Sequence, residues 1–144
     1  MLVGVGADEL LGGYSRIRQA YAHGSWHAVA AELDTHVRRI GKRNLGRDDR
    51  IVASHGREAR FPFLEEELVS FIMQLPVDAK CDARLPRGVG EKRILREALQ
   101  QLGFSVRVTQ QHKSAIQFGS RAAKLQDAGL KGTDLISGST ADDV

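Results

Sequence analysis

The sequence predicts a predominantly α-helical chain, one N-terminal strand followed by about five helices, that is part of a larger α/β domain. The first six residues are apolar or glycine and resemble the end of a buried strand running into a turn. Beyond them, apolar residues recur at helical spacing, and no second convincing strand follows. Because a buried parallel strand needs neighbours to satisfy its backbone groups, we expect the other strands of its sheet to lie upstream.

Length and composition indicate one soluble domain or a large part of one. The 144 residues are 42% apolar and 27% charged, which is enough for a core and an ordinary surface. The net charge of +3 permits an anionic ligand without requiring one. The single cysteine, Cys81, cannot form an internal disulfide, and no apolar run reaches the roughly 20 residues that span a bilayer. With no signal-peptide pattern either, cytosol or nucleus is expected, and we predict a cytoplasmic protein.

Capping residues and apolar spacing predict the first helices. Asp8 is the expected N-cap of a short helix over residues 9–11. A longer helix is expected from Ser25 to Gly41, where apolar side chains recur every three or four positions. Residues 47–55 are predicted to form another short helix. Residues 60–63 must be extended, since a residue that precedes proline is pushed out of the helical region.

The same signals predict the second half of the chain. A helix over residues 65–75 stops before a proline, and residues 77–89 are expected to be a loop. The clearest helix runs from about Glu91 to Leu102, where a regular apolar face is followed by a closing glycine. Gly, Ser, Thr and Asp dominate after about residue 126, so we expect a structured domain over 1–125 and disorder over 126–144.

The most informative segment is residues 4–14, which read Gly-Val-Gly-Ala-Asp-Glu-Leu-Leu-Gly-Gly-Tyr. Glycines at a strand end let backbone N–H groups approach a ligand closely, and a helix that starts there favours phosphate. Asp8 and Glu9 would repel a bare phosphate, so a divalent cation would have to bridge them. The alternative is a tight strand-to-helix turn with a capping aspartate, since short glycine patterns also recur by accident.

Four blocks in order resemble the synthetase domain of the asparagine synthetase family. They lie at residues 4–14, 49–64, 91–98 and 113–120. The first is similar to the family's Gly-x-Gly-x-Asp-Glu-x-x-Gly-Gly-Tyr motif. The second and third resemble its "DR…G-x-E-A/V-R-x-P-F-L" and "K-x-x-L-R-x-A" blocks, and the fourth resembles its lysine loop. The runs at residues 43–50 and 117–121 are similar to a divergent branch of that family.

This resemblance implies a fold, a reaction and a set of site residues. The fold would be adenine nucleotide alpha hydrolase-like, of the ATP pyrophosphatase type. ATP and Mg²⁺ would adenylate the side-chain carboxylate of aspartate, and ammonia released from glutamine by a separate N-terminal domain would displace AMP. Gly4, Gly6 and Lys113 would bind the nucleotide and its pyrophosphate, and Asp8 would bind the metal. Lys113 would also be catalytic, because a mobile positive charge suits the developing anion.

Two departures separate the chain from asparagine-forming members of that family. Those members carry a glutamate between the first two glycines, whereas this chain has Val5, which can neither carry charge nor exchange a proton. The family's Ser-Gly-Gly-x-Asp-Ser pyrophosphate loop is absent from the 144 residues. The amidotransferase cysteine that follows the initiator methionine is also absent, since Leu2 stands there.

Other candidate sites are weaker. The basic cluster within residues 38–50 also contains two aspartates and has no interleaved aromatic side chains, which favours a solvated helix end over a nucleic-acid site. His23 and His27 are separated by glycine and serine, so they are not expected to share a continuous helix or a metal. Cys81 has no obvious activating base and is not expected to be a nucleophile.

Two functions of different classes remain. The first is an enzyme part, the C-terminal part of an ATP-dependent amide-forming ligase that is inactive alone and needs the missing N-terminal part of the domain as its partner. The second is a non-catalytic remnant that binds a nucleotide or a protein. Val5 favours the remnant, whereas Asp8, Lys113 and the glycine turn favour the enzyme part. No membrane or nucleic-acid partner is expected.

Overall fold

The computed structural model describes residues 1–114 of the chain, and this part is mainly helical. The chain divides into two compact units, Met1–His112 and Lys113–Val144. Residues 1–114 contain seven α-helices: α1 (Ala7–Leu10), α2 (Arg16–Arg39), α3 (Asn44–Ser54), α4 (Glu66–Gln74), α5 (Val77–Lys80), α6 (Arg93–Gln101) and α7 (Val106–Thr109). Two 3₁₀ turns, Ile40–Lys42 and Pro62–Leu64, complete the regular structure of this range. The predicted helical character is therefore confirmed.

The N-terminal segment forms an isolated bridge rather than a strand within residues 1–114. Leu2 pairs with Arg60 in parallel orientation. The Val3 N–H donates to the Arg60 carbonyl at 2.9 Å, and the Arg60 N–H donates to the Met1 carbonyl at 2.7 Å. The predicted N-terminal strand thus corresponds to a single bridge in the described part of the chain. Its place in a larger parallel sheet stays a prediction.

The start of α1 corrects the expected cap. Gly6, not Asp8, is the N-cap residue, and its φ of +104° suits glycine. The carboxylate of Glu9, in the third helical position, folds back and accepts a hydrogen bond from the Gly6 N–H at 3.0 Å. Since Glu9 satisfies the cap, Asp8 lies inside the first turn, where its side chain can make another contact.

Helix α2 begins earlier than predicted and is interrupted. Ser25 has φ 62° and ψ −163°, and Gly24 is also non-helical, so the helix is kinked between two halves. The predicted helix after Ser25 is confirmed as the second half. The first half has only about two turns, and its apolar pattern is too short to predict a helix from the sequence. The interruption confirms that His23 and His27 do not share a continuous helix.

The predicted helices over 47–55, 65–75 and 91–102 are confirmed as α3, α4 and α6 with small shifts of their ends. Two loop predictions need correction. Residues 77–80 form α5 rather than loop, because the preceding proline fits the start of a helix. Phe61 has φ −118° and ψ 79°, outside the helical region as the following proline requires, but residues 62–64 then turn into a 3₁₀ helix.

Two apolar clusters form the core of the unit Met1–His112. The first joins α2 to α5 and consists of Ile17, Val29, Leu33 and Cys81, with Trp26 and Val77 packed against it. The second joins α1 to α4 and consists of Leu10, Leu11 and Ile72, with Leu64, Ile94 and Leu95 packed against it. Among the helices of residues 1–114, none combines the length and the apolar character that a membrane span requires. The predicted boundary at 125 and the predicted disorder of 126–144 lie outside the described residues.

Candidate functional site

The glycine-rich segment 4–14 lies between the two apolar clusters and is anchored to both. Leu10 and Leu11 are almost completely buried in the second cluster. The backbone at Gly12 lies against Cys81 of the first cluster, and a Cβ there would be 2.6 Å from the Cys81 Sγ. The C-terminal side of α1 is therefore held by packing against both clusters.

The four glycines of this segment have different surroundings. A Cβ on Gly6 would be 2.7 Å from the Leu64 side chain, and one on Gly13 would be 1.8 Å from the Asp8 Oδ1. A Cβ on Gly6, Gly12 or Gly13 would thus force neighbouring side chains of the protein to shift. A Cβ on Gly4 would meet none of the described residues within 4 Å. Gly4 is consequently the glycine of this turn whose surroundings leave most room for a ligand.

A buried carboxylate organises the turn. Glu9 is 4% exposed, and its two oxygens accept hydrogen bonds from three groups. The Gly6 N–H reaches Oε2 at 3.0 Å, the Asn44 amide reaches Oε1 at 2.8 Å, and the Tyr14 hydroxyl also donates to Oε1. The Asn44 amide lies 3.0 Å from the Tyr14 hydroxyl as well. Since Asn44 starts α3, this network fixes the α1 turn to a distant helix.

Two aromatic side chains continue the network towards α2. Burial and the neighbouring Glu9 carboxylate raise the pKa of Tyr14 well above its ordinary value, so its hydroxyl remains a donor. The Tyr14 ring packs on the His36 ring with centroids 4.8 Å apart. Burial lowers the pKa of His36, although Glu32 lies 3.2 Å from its Nε2 and opposes that effect. The contact between Tyr14 and His36 therefore links the glycine-rich turn to α2.

Asp8 forms an ion pair with a residue from the other end of the described chain. Lys92 Nζ lies 2.7 Å from Asp8 Oδ1. Both side chains are partly buried, with 21% and 23% of their surface exposed for Lys92 and Asp8 respectively. The predicted metal ligand is therefore in direct contact with an ammonium group.

The loop before α6 places Lys92. Its backbone is left-handed, with φ 54° and ψ 37°, and its N–H donates to the Leu11 carbonyl at 2.9 Å. The preceding Glu91 accepts a hydrogen bond from the Gly88 N–H at 2.7 Å and forms ion pairs with Arg18 and Arg96 at 3.6 Å each. The Lys92 hydrogen bond to Leu11 thus holds this loop against the end of α1, and the contacts of Glu91 fix the residue before it.

The described residues do not form a magnesium site by themselves. In residues 1–114 no group of three or more His, Cys, Asp or Glu side chains is placed to hold a metal. Asp8 supplies one carboxylate that is already ion-paired, and the Glu9 oxygens are occupied by the hydrogen bonds described above. The role of Asp8 as a metal ligand, and the roles of Gly4 and Gly6 in nucleotide binding, stay predictions.

Lys113, the predicted catalytic residue, is partly buried and opens the second compact unit. Its nucleotide-binding role also stays a prediction.

Sequence reasoning overlooked Asn44 and Lys92 as neighbours of the turn. Lys92 belongs to the third family-like block, but nothing in the linear order indicates that it folds back onto Asp8.

Comparison with known proteins decides the family. The sequence profile described as asparagine synthase matches residues 16–134, which is most of the chain. The chain belongs to the asparagine synthase family. The resemblance noted from four short blocks is therefore confirmed over most of the chain.

Relatives named for the same domain match more than nine-tenths of the chain. The chain is 51% identical over 134 residues to asparagine synthetase domain-containing protein 1 of Mus musculus, covering 93% of this chain and 21% of that protein. It is 45% identical to an asparagine synthetase domain-containing protein of Drosophila melanogaster, covering 92% of this chain and 24% of that one.

A glutamine-hydrolyzing asparagine synthetase of Bos taurus is 34% identical over 97 residues, which is 67% of this chain and 16% of that enzyme. The chain spans about a fifth of the length of the curated relatives it matches. No solved structure matches the chain.

Proposed function

We propose that this chain is the C-terminal part of the ATP site of an asparagine synthetase-like, amide-forming ligase domain of the cytoplasm. The observation that carries the proposal is the Glu9 network at the glycine turn. Burying a carboxylate is costly unless hydrogen bonds compensate for it, and here three donors converge on one side chain. The turn that bears Asp8 is thereby held in one conformation, which suits a ligand site.

The substrates of this proposal are those of the family, namely ATP, aspartate, and ammonia derived from glutamine. Lys113 would neutralise charge on the transferring phosphoryl group and on pyrophosphate, since fixed positive charge at a developing anion lowers the barrier most. Gly4 would let the ligand approach the backbone, in agreement with the open space around it. A magnesium role for Asp8 requires a change in its contact with Lys92.

We further propose that the 144 residues alone have no turnover. They contain no Ser-Gly-Gly-x-Asp-Ser motif, so a second set of backbone donors for pyrophosphate has to come from elsewhere. The preceding part of the synthetase domain is the partner that this proposal requires.

A non-catalytic nucleotide- or protein-binding module is the second candidate. Val5 supports it, because this half-buried apolar side chain stands where asparagine-forming members have a glutamate. A valine can supply neither charge nor a proton to the reacting groups.

Aspartate-dependent ATP–pyrophosphate exchange tests the proposal. The 144-residue chain would be assayed alone and fused to the preceding part of a synthetase domain that carries the Ser-Gly-Gly-x-Asp-Ser loop. We expect no exchange by the chain alone and measurable exchange by the fusion. Lys113→Met should reduce exchange by about 100-fold or more, because a charge at the developing anion is lost.

The exposed Lys42 supplies the matched control, since Lys42→Met removes the same charge from a surface turn and should leave exchange unchanged. Exchange by the chain alone would refute the requirement for a partner. A fusion that is inactive both with Val5 and as Val5→Glu would favour the binding module.

A further inference from the structure

Arg96, in α6, binds two parts of the chain, one that precedes this helix and one that follows it. Its Nε donates to the Glu91 carbonyl at 2.6 Å, and its Nη2 lies 3.6 Å from the Glu91 carboxylate. Its Nη1 donates to the Thr109 carbonyl and, at 3.1 Å, to the Gln111 carbonyl. The side chain is 12% exposed. The guanidinium group therefore joins the loop before α6 to residues 109–111.

The backbone of residues 109–111 depends on these hydrogen bonds for its course. Thr109 is buried, and its hydroxyl accepts a hydrogen bond from the Gln100 amide at 3.0 Å. Gln110 and Gln111 are exposed, so packing of their side chains contributes little. The loop approaches closely here, since a Cβ on Gly88 would be 2.3 Å from the Gln110 carbonyl oxygen. Arg96 thus holds the backbone where side-chain packing ends.

The chemistry of arginine suits this position. Thr109 is the last residue of α7, and the last carbonyls of a helix have no partner within it. A guanidinium group carries several donors in a rigid planar fork and stays charged, so it can bind these carbonyls and Glu91 together. A lysine in its place would offer a single nitrogen and could not reach all of these acceptors at once.

We infer that Arg96 is the positioning residue for Lys113, because it fixes the backbone of residues 109–111 from which the chain continues to Lys113. The inference rests on the proposed catalytic role of Lys113. The Lys113 side chain is long and has many conformations, so its charge is useful to a reacting group only when its backbone is held in place. Arg96 supplies that constraint two residues before Lys113.

A double substitution in the fusion described above tests whether Arg96 acts through Lys113. Arg96→Met should lower the rate of ATP–pyrophosphate exchange by about tenfold, because a displaced charge is less effective than a correctly placed one. In a fusion that already carries Lys113→Met, Arg96→Met should cause no further loss. A further loss of similar size, or no loss in either background, would overturn the inference.

Amide hydrogen exchange in the 144-residue chain gives a readout that does not depend on activity. The Thr109 and Gln110 N–H groups donate to the Ser105 and Val106 carbonyls at 3.1 and 2.9 Å. Arg96→Met should speed the exchange of both amides by about tenfold, because it removes the charge-assisted hydrogen bonds that hold this segment.

Arg93→Met is the matched control. Arg93 lies in the same helix, and its Nε is 2.7 Å from the exposed Glu97 carboxylate. The substitution therefore removes the same charge from α6 and should leave the exchange of the Thr109 and Gln110 amides unchanged. Equal acceleration in the two variants, or none in Arg96→Met, would contradict the inference.

A measurement on the unsubstituted chain covers the case in which Arg96→Met does not fold. A guanidinium group held by several acceptors rotates slowly, so nuclear magnetic resonance should show separate Nη1 and Nη2 signals for Arg96. A single averaged signal would refute the clamp. If the fusion shows no exchange at all, the proposed function fails, whereas hydrogen exchange and these signals still decide whether Arg96 holds residues 109–111.

Discussion

At the scale of single residues, Glu9 is the side chain on which the geometry of the turn depends most. Its removal by Glu9→Ala would take away the acceptor of the Gly6 N–H and the Glu9 acceptor of the Tyr14 hydroxyl and the Asn44 amide. Buried donors that lose an acceptor destabilise a protein, so we expect the free energy of unfolding to fall by about 3 kcal/mol. Urea denaturation followed by circular dichroism would measure the change.

Glu67 offers a matched control for this substitution. It lies exposed in the first turn of α4, so Glu67→Ala removes the same group from a solvated position. We expect a change within about 0.5 kcal/mol. Equal effects of the two substitutions would contradict the stabilising role of the Glu9 network.

His36 makes stability depend on pH in a predictable direction. Burial lowers its pKa in the folded chain, and Arg39 and Arg16 act in the same direction. Glu32 and Glu9 oppose this shift, but burial is the larger effect. Below pH 6.5, its ordinary pKa, the unfolded chain binds a proton that the folded chain binds less readily, so stability should fall as the pH falls.

Thermal unfolding between pH 7.5 and pH 5, which brackets the ordinary pKa of about 6.5, would measure this dependence. The variant His36→Gln should be less sensitive to pH over that range than the unsubstituted chain. The exposed His27 is the control, and His27→Gln should keep the original dependence. An unchanged slope for His36→Gln would refute the assignment.

At the scale of elements, the kink in α2 stores strain at one residue. Ser25 has φ 62° and ψ −163°, a region of backbone space occupied almost entirely by glycine. Ser25→Gly should therefore stabilise the chain by about 1 kcal/mol, although glycine within a helix is ordinarily destabilising. The midpoint of urea denaturation would report the gain.

Ser15 is the matched control for this element. It is an exposed serine with ordinary helical angles whose side chain makes no capping hydrogen bond. Ser15→Gly should leave stability unchanged or reduce it slightly. If the two glycine variants behave alike, the kink is not strained.

The elements also show what local sequence signals can predict. The helices α4 and α6 are predictable because each combines an apolar repeat with a stop signal within about a dozen residues, whereas α3 is marked only by the glycine that follows it. The predicted cap of α1 is wrong, because Asp8 and Glu9 are both acceptable acidic residues and the choice depends on which carboxylate folds back. Helix α5 escapes prediction because a single turn carries no measurable periodicity.

At the scale of the whole molecule, local sequence signals predict the glycine-rich turn but not the distant residues that contact it. The glycine spacing predicts a ligand turn at residues 4–14 from local rules. In that turn, Glu9 contacts Asn44, which lies 35 positions later in the chain. Asp8 contacts Lys92, which lies 84 positions later. No local sequence pattern encodes contacts over such separations. Family resemblance predicts the class of domain, whereas the ion pair becomes visible only in the folded chain.

The exposed N-terminal segment provides the last prediction, which concerns association of the whole chain. Leu2 is 78% exposed, and its neighbours are bonded to Arg60 along one side. An apolar segment with an open backbone edge favours pairing with another chain, so we expect concentration-dependent self-association in sedimentation velocity. Leu2→Lys should weaken it about tenfold, because burial of one leucine contributes about 1.5 kcal/mol or more.

Leu102 is the matched control for this experiment. It is 74% exposed, but its N–H donates to the Ala98 carbonyl at 3.0 Å at the end of α6, so it borders no open edge. Leu102→Lys should therefore leave self-association unchanged. If the unsubstituted chain stays monomeric at every concentration, or if both variants reduce association equally, pairing through the Leu2 edge is refuted.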